Sequence, residues 1–184
     1  MSLQIEADQS EIVKHRSFHS VLRERIVEHM FVSDLLRRFW FFKIFEVEIL
    51  RAEFDAGGYD LAISLRGIVR YVQLKARSHG GKRRNFSIAK RLLQRVGSCV
   101  IVIDVDEALN VIDYYWLGRC PEQNLDHVPF KTAKHSKGNS EGKKLVRPQQ
   151  ATVSISQFEH VSDFDFLIEK LLGAPPQTFL TASE

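Results

Sequence analysis

Between Ser17 and Phe39 the apolar residues return at three- and four-residue intervals, the spacing of a helix that buries one face. Leu22, Ile26 and Met30 form one row, and Val21, Val32, Leu35 and Phe39 form another, with Ser17 suited to cap the start. The pattern predicts a helix over about 17–38, ended by the cluster Phe39-Trp40-Phe41-Phe42, whose rings read as core. Beyond it the period drops toward two. Strands are expected at about 44–50, 59–65 and 68–77, the last two joined by a tight turn at Arg66-Gly67. A flexible loop at 78–84, a helix over about 87–96 and strands at 99–105 and 111–117 follow. Residues 119–150 lose the pattern and are expected to form a long loop; a short strand near 153–155 and a helix over about 162–172 finish the chain. A hairpin makes part of the sheet antiparallel, and a helix after the third strand allows a crossover to a parallel neighbour. The expected class is therefore α/β: a mixed sheet flanked by helices.

Composition narrows the setting. A chain of 184 residues with 44% apolar and 27% charged positions is expected to be a single globular domain over 1–184. No apolar run reaches the roughly 18 residues of a membrane span, and the polar start from Met1 to Ser10, with Glu6 and Asp8, does not read as a secretory signal. Cys99 and Cys120 form neither a disulfide framework nor a metal motif, and Cys99 reads as a core thiol. A reducing, cytoplasmic location is expected.

The net charge of +3 hides an uneven distribution. Residues 66–95 hold ten Lys or Arg and no Asp or Glu, a run expected to bind phosphate. Arg77, Lys82, Arg83, Arg84, Lys90 and Arg91 are its candidate nucleic-acid contacts. Residues 119–150 add seven basic side chains against three acidic ones. His15 and His19 stand four apart but lack further ligands, so they do not read as a zinc site. No Ser-His-Asp order, nucleotide-cradling glycine loop or dinucleotide fingerprint supports acyl transfer or ATP chemistry.

The candidate chemistry lies in Gly57-Gly58-Tyr59-Asp60-Leu61-Ala62-Ile63 and Tyr71-Val72-Gln73-Leu74-Lys75-Ala76-Arg77. A two-residue loop at Arg66-Gly67 pairs Leu65 with Ile68 and sets Asp60 opposite Gln73. Lys75, two residues on, shares that face, while Leu61, Ile63, Leu65, Val72, Leu74 and Ala76 take the other. A carboxylate and an amide carbonyl are hard oxygen ligands suited to Mg²⁺ or Mn²⁺. Glu28 is in register with Val21, Val32, Leu35 and Phe39 on the helix stripe expected to face the sheet, and is the candidate second carboxylate; Glu24, one turn earlier, is the rival.

A helix-borne Glu followed by "GGYDLAI" and "VQLKAR" resembles the PD-(D/E)XK nuclease superfamily, closest to the Mrr-like branch with Gln in the D/E-X-K element. The resemblance covers about Ser17 to Leu117. It implies a restriction-endonuclease-like core of order αβββαβ, with the 119–150 loop and the last helix outside it. By position it implies Asp60 and Gln73 as metal ligands, Lys75 as the catalytic lysine and Glu28 as the first-helix acid. Gly58 stands where the motif's name has proline, and Gln73 lowers the ligand charge. The function implied is a metal-dependent endonuclease acting on double-stranded DNA, with a homodimer as the form that cuts both strands. The alternative is a catalytically inactive nuclease-like module that binds nucleic acid within a larger assembly.

Overall fold

The computed structural model describes residues 2–53, 57–134 and 145–179, the side chains of residues 2–18 excepted. Its first element, α1 (Ser2–Phe41), is 40 residues long and begins well before the expected cap at Ser17. Residues 2–16 contain good helix formers and neither Gly nor Pro, so nothing stops the helix there. Its buried stripe is Val27, Phe31, Leu35 and Phe39, offset from the expected one: Val21, Leu22 and Ile26 are exposed. At its end Ile44 N–H donates to Phe39 C=O (2.8 Å) and Lys43 N–H to Trp40 C=O (3.0 Å), with Lys43 at φ 54°. These are the paired bonds of a Schellman cap, closed by burial of Ile44 on Phe39.

Strands β1 (Glu48–Arg51), β2 (Leu61–Leu65), β3 (Ile68–Ser78), β5 (Ser98–Val105), β6 (Val111–Gly118) and β9 (Glu159–Val161) form one mixed sheet in the order β1-β2-β3-β5-β6-β9. Only the β3–β5 pair is parallel. Arg66 (φ 46°) and Gly67 (φ 85°) both adopt positive φ, the two-residue loop whose twist suits a hairpin. The register is the expected one, Leu65 opposite Ile68 through Leu61 opposite Val72.

Three strands that the sequence pattern did not predict appear. β4 (Asn85–Ala89) occupies the start of the expected 87–96 helix, leaving α2 (Lys90–Leu93) only one turn. β7 (Lys131–Lys134) lies within the expected loop 119–150, and β8 (Val146–Ser154) begins there; residues 135–144 lie outside the described residues. β4, β8 and β7 make a second, antiparallel sheet in the order β4-β8-β7. β9 is the third unforeseen strand.

Two apolar layers sandwich the large sheet. On one face Leu61, Ile63, Val72, Cys99 and Ile101 pack with α1 and with α3 (Phe164–Leu172). On the other, Val100, Val102 and Leu117 meet Leu92 and Leu93 of α2 and Phe86, Ile88, Ala151 and Val153 of the second sheet. α3 matches the expected last helix; Asp163 caps its start by accepting from Asp165 N–H (3.2 Å), and Arg38 of α1 ion-pairs with Asp165. The mixed α/β architecture is thus the expected one, with a second sheet added. Among the described residues, no helix is long and apolar enough to cross a membrane.

Candidate functional site

The site forms where β2 leaves β3. Pairing of the two strands stops at Leu61–Val72, so residues 73–78 of β3 keep only β5 as a ladder partner. Asp60 stands one step past the ladder. Its N–H donates to Val72 C=O (2.9 Å), its C=O accepts from Ala52 N–H (3.0 Å), and its Oδ2 accepts from Leu74 N–H (2.7 Å). The expected direct ladder pairing with Gln73 is therefore replaced by bonds to the residues on either side of Gln73. Asp60 and Leu61 both meet Val72, a bulge-like offset of the kind that re-aims a side chain.

Gly58 makes this turn possible. It sits at φ 77°, and a Cβ there would lie 2.4 Å from the Ala89 Cβ. Tyr59 then packs on Tyr71, with ring centroids 5.0 Å apart, and Arg95 stacks 4.4 Å from the Tyr71 ring centre. The backbone ahead of Asp60 is held from both sides.

A cavity of about 230 Å³ joins these groups: Glu24, Arg25 and Glu28 of α1, Asp60, and Leu74, Lys75 and Ala76 of β3 line it. Lys75 is half-buried. Gln73, on the same side of β3 as Lys75, is buried and does not line the cavity; among the described residues its Oε1 has no hydrogen-bond partner. The three guanidinium nitrogens of buried Arg70 are likewise without hydrogen-bond partners among the described residues, so the Gln73 oxygen is compatible with a cation or a water rather than specific for one. Oxygens from Asp60 and Gln73 are suited to a hard divalent cation, so the donor chemistry fits. Glu28 is buried and already held by Arg25 (3.2 Å) and Arg51 (3.5 Å). Glu24, the rival acid, lines the same cavity and is exposed.

Arg77 departs from expectation. It is not a surface phosphate contact: it is buried, and its guanidinium donates to both carboxylate oxygens of Asp104 (3.1 and 2.7 Å) and to Tyr115 (3.1 Å). Burial alone would raise the Asp104 pKa, but hydrogen bonds from Arg77 and His79 outweigh it and hold the group below the usual carboxylate range. Arg77 and Asp104 are cross-strand partners in the β3–β5 pair. The signal for this was present, since Asp104 interrupts the apolar run 99–105 and a buried carboxylate needs a partner. The remaining basic candidates are better placed. Lys82, Arg83, Arg84 and Arg91 are exposed and Lys90 is half-buried, with Arg83 stacked on Phe86 at 4.9 Å.

A cluster not foreseen from the sequence joins His79, Asp104 and Asp113, with one ligand atom from each within 4.8 Å of the others. Its carboxylates are already engaged, Asp104 by Arg77 and Asp113 by His160 (2.7 Å), and the guanidinium on Asp104 opposes a second cation. It reads as an ion-pair network. A larger cleft, about 800 Å³, lies elsewhere, between α1 and α3, lined mainly by Trp40, Phe41, Leu36 and Phe164; it brings no metal-ligand set together.

The chain matches no protein-family model, and no curated protein matches its sequence. Among solved structures, a bacterial homing endonuclease aligns with 68% of this chain and 86% of its own, at 17% identity and a TM-score of 0.35. So loose a superposition carries no argument about chemistry; the side chains around Asp60 and Lys75 carry their own.

Proposed function

We propose that this chain is a metal-dependent endonuclease that hydrolyses phosphodiester bonds in double-stranded DNA. The observation that carries the reading is the meeting of Asp60, Lys75, Glu24 and Glu28 around one small cavity. The PD-(D/E)XK-like motif in the sequence supports the same assignment.

Asp60 and Gln73 would hold Mg²⁺ or Mn²⁺, with Glu28 as the further acid. Bound there, the ion supplies Lewis acidity to the phosphate and lowers the pKa of a nearby water. Asp60 is positioned for this because its N–H and Oδ2 are tied to Val72 and Leu74 of β3 and its C=O to Ala52. Lys75 brings a positive charge to the cavity wall, where it orients the attacking water and stabilises charge gathering on the phosphoryl oxygens. The water oxygen bonds to phosphorus as the bond to the leaving sugar oxygen breaks, and that oxygen takes up a proton. Lys82, Arg83, Arg84, Lys90 and Arg91 would hold the phosphate backbone. Two copies of the chain would cut the two strands.

The test is nicking of supercoiled plasmid with and without Mn²⁺. Wild type should cut only with the ion, and Lys75→Ala should lose about 10³-fold in rate while unfolding at the same temperature. Equal cutting in chelator, or by folded Lys75→Ala, overturns the reading. A second reading, a nuclease-like module that binds without cutting, is favoured by one observation: Glu28 is already neutralised by two arginines. It requires salt-dependent DNA binding with no turnover in any divalent ion.

A further inference from the structure

The second sheet has an outward face of unusual chemistry. Phe86, Ile88, Ala151 and Val153 point inward and are fully buried. The two-residue period then turns Asn85, Ser87, Gln150, Thr152 and Ser154 outward, and every one is an amide or a hydroxyl. Asn85 pairs with Ser154, and Ser87 and Lys131 both pair with Thr152, so these groups form one continuous surface. The Ser87 hydroxyl donates to the Gln150 carbonyl (3.0 Å) and fixes how that amide is presented. A concavity of about 420 Å³ on this face is lined by residues that include Asn85, Phe130, Lys131, Thr152, Ser154 and Gln157.

Two further observations point to the occupant. Residues 82–95, 128–134 and 145–158, which build the sheet and its flanks, contain nine Lys or Arg and no Asp or Glu. A merely solvated face normally mixes the two signs. Moreover β7 and β8 run on beyond β4: after a register shift past Thr132 that leaves residues 148–150 out of the β7–β8 ladder, Ala133 and Lys134 pair with Arg147 and Val146, while β4 reaches only Gln150. Residues 146–149 are exposed along this two-stranded extension. Of its β7 residues Ala133 is buried and Lys134 exposed, and a two-stranded ribbon has the width of a DNA major groove.

We propose that this outward face reads duplex DNA, with the β7–β8 extension entering the major groove. Lys131, Lys134 and Arg147 hold the phosphates beside it, and Asn85, Gln150 and Thr152 meet base edges. Amides and hydroxyls suit that role because they match the donor and acceptor pattern of the bases, whereas ammonium and guanidinium groups on phosphates set register and affinity. The inference deepens the endonuclease reading by assigning its substrate-discriminating surface, and it rests on that reading for the choice of nucleic acid.

Two triple variants test it, both at exposed or outward positions and both checked for unchanged unfolding temperature. Binding is measured by anisotropy on 30-base-pair duplexes, one selected by wild type from a random pool and one scrambled, across a salt series. The K131A/K134A/R147A variant should bind both duplexes about thirtyfold more weakly and lower the log–log salt slope by about 3. The N85A/Q150A/T152A variant should keep the slope and reduce discrimination between the two duplexes by about tenfold or more. Wild-type binding retained by the first variant, or undiminished discrimination by the second, overturns the assignment. Lys75-dependent plasmid cutting is read in parallel. If it persists in variants with unaltered binding, the surface assignment alone fails; if wild type binds through this sheet and never cuts, the nuclease reading alone fails. Wild-type binding to anionic vesicles but to neither duplex overturns both.

Discussion

Asp60 offers a way to separate scaffold from chemistry. Its Oδ2 accepts the Leu74 N–H at 2.7 Å in a half-buried setting, a charge-assisted bond that substitutes for the missing strand partner. Hydrogen bonds to a charged group contribute about 1.5–3 kcal/mol, and an amide left without an acceptor loses a similar amount. Asp60→Ala should therefore lose about 2 kcal/mol of stability, a fall of roughly 4–8 °C in Tm for a chain of this length. Asp60→Asn keeps an acceptor oxygen for Leu74 and removes the charge, so its stability should stay within about 1 kcal/mol of wild type. Its cleavage should nevertheless fall by about 10²–10³-fold, equivalent to about 2.7–4 kcal/mol of barrier. Urea titration and Mn²⁺-dependent plasmid cutting measure the two quantities on the same samples. If Asp60→Asn cuts within about tenfold of wild type, its charge is not needed for chemistry. If Asp60→Ala and Asp60→Asn are equally stable, the bond to Leu74 contributes nothing and the account of the site's scaffold is wrong.

Gln73→Glu puts a charge where a neutral amide is buried, so its Tm should drop in chelator and recover more than wild type's on adding Mn²⁺; a shift that ignores the ion places the metal elsewhere. The Asp104 pKa is depressed in the folded state, so the Arg77 pair contributes its stability above the unfolded carboxyl value near pH 4 and loses it as pH falls through the folded value. Asp104→Asn should accordingly cost about 3 kcal/mol at pH 7 and flatten the acid limb of the stability curve, and an unchanged limb in urea titrations from pH 6 to 2 contradicts the assignment. Burial pushes the Cys99 thiol up to about 11, against an opposing effect of nearby Arg70, while Cys120 is exposed. A thiol reagent at pH 8 should thus label Cys120 in the native protein and both cysteines in denaturant; fast native labelling of Cys99 would mean the sheet interior opens readily.

What could be read from the sequence was what is encoded locally. The β2 arm of the hairpin alternates, and Gly67 accepts a positive φ in the turn, so the register follows from the turn position although Arg70 breaks the apolar alternation on β3. The apolar run of β5 and the amphipathic α3 were equally plain. β4 was hidden because Asn85–Ala89 runs straight into Lys90-Arg91-Leu92-Leu93, a sequence that suits a helix, and because its strand partner lies some sixty residues away. β7 carries too few apolar residues to show a period, so it and the start of β8 fall within the expected loop 119–150, while only the end of β8 matches the expected strand at 153–155. At the site, the strand period put Gln73 and Lys75 on one face, but it could not show the offset at Asp60, which depends on a side-chain bond to Leu74. A one-dimensional charge count makes Arg77 a candidate nucleic-acid contact; its partner Asp104 comes alongside only when β3 and β5 pair in parallel.

The distant pairing of β4 also bears on synthesis. Phe86 and Ile88 emerge from the ribosome long before Ala151 and Val153, the strand that covers them. Throughout that interval the nascent chain presents an unpaired apolar edge, the kind of segment that seeds aggregation. The triplet Lys82-Arg83-Arg84 lies immediately ahead of it. Like charges beside an exposed strand keep neighbouring nascent chains apart, so the same arginines that face solvent in the finished molecule protect it while it is being made.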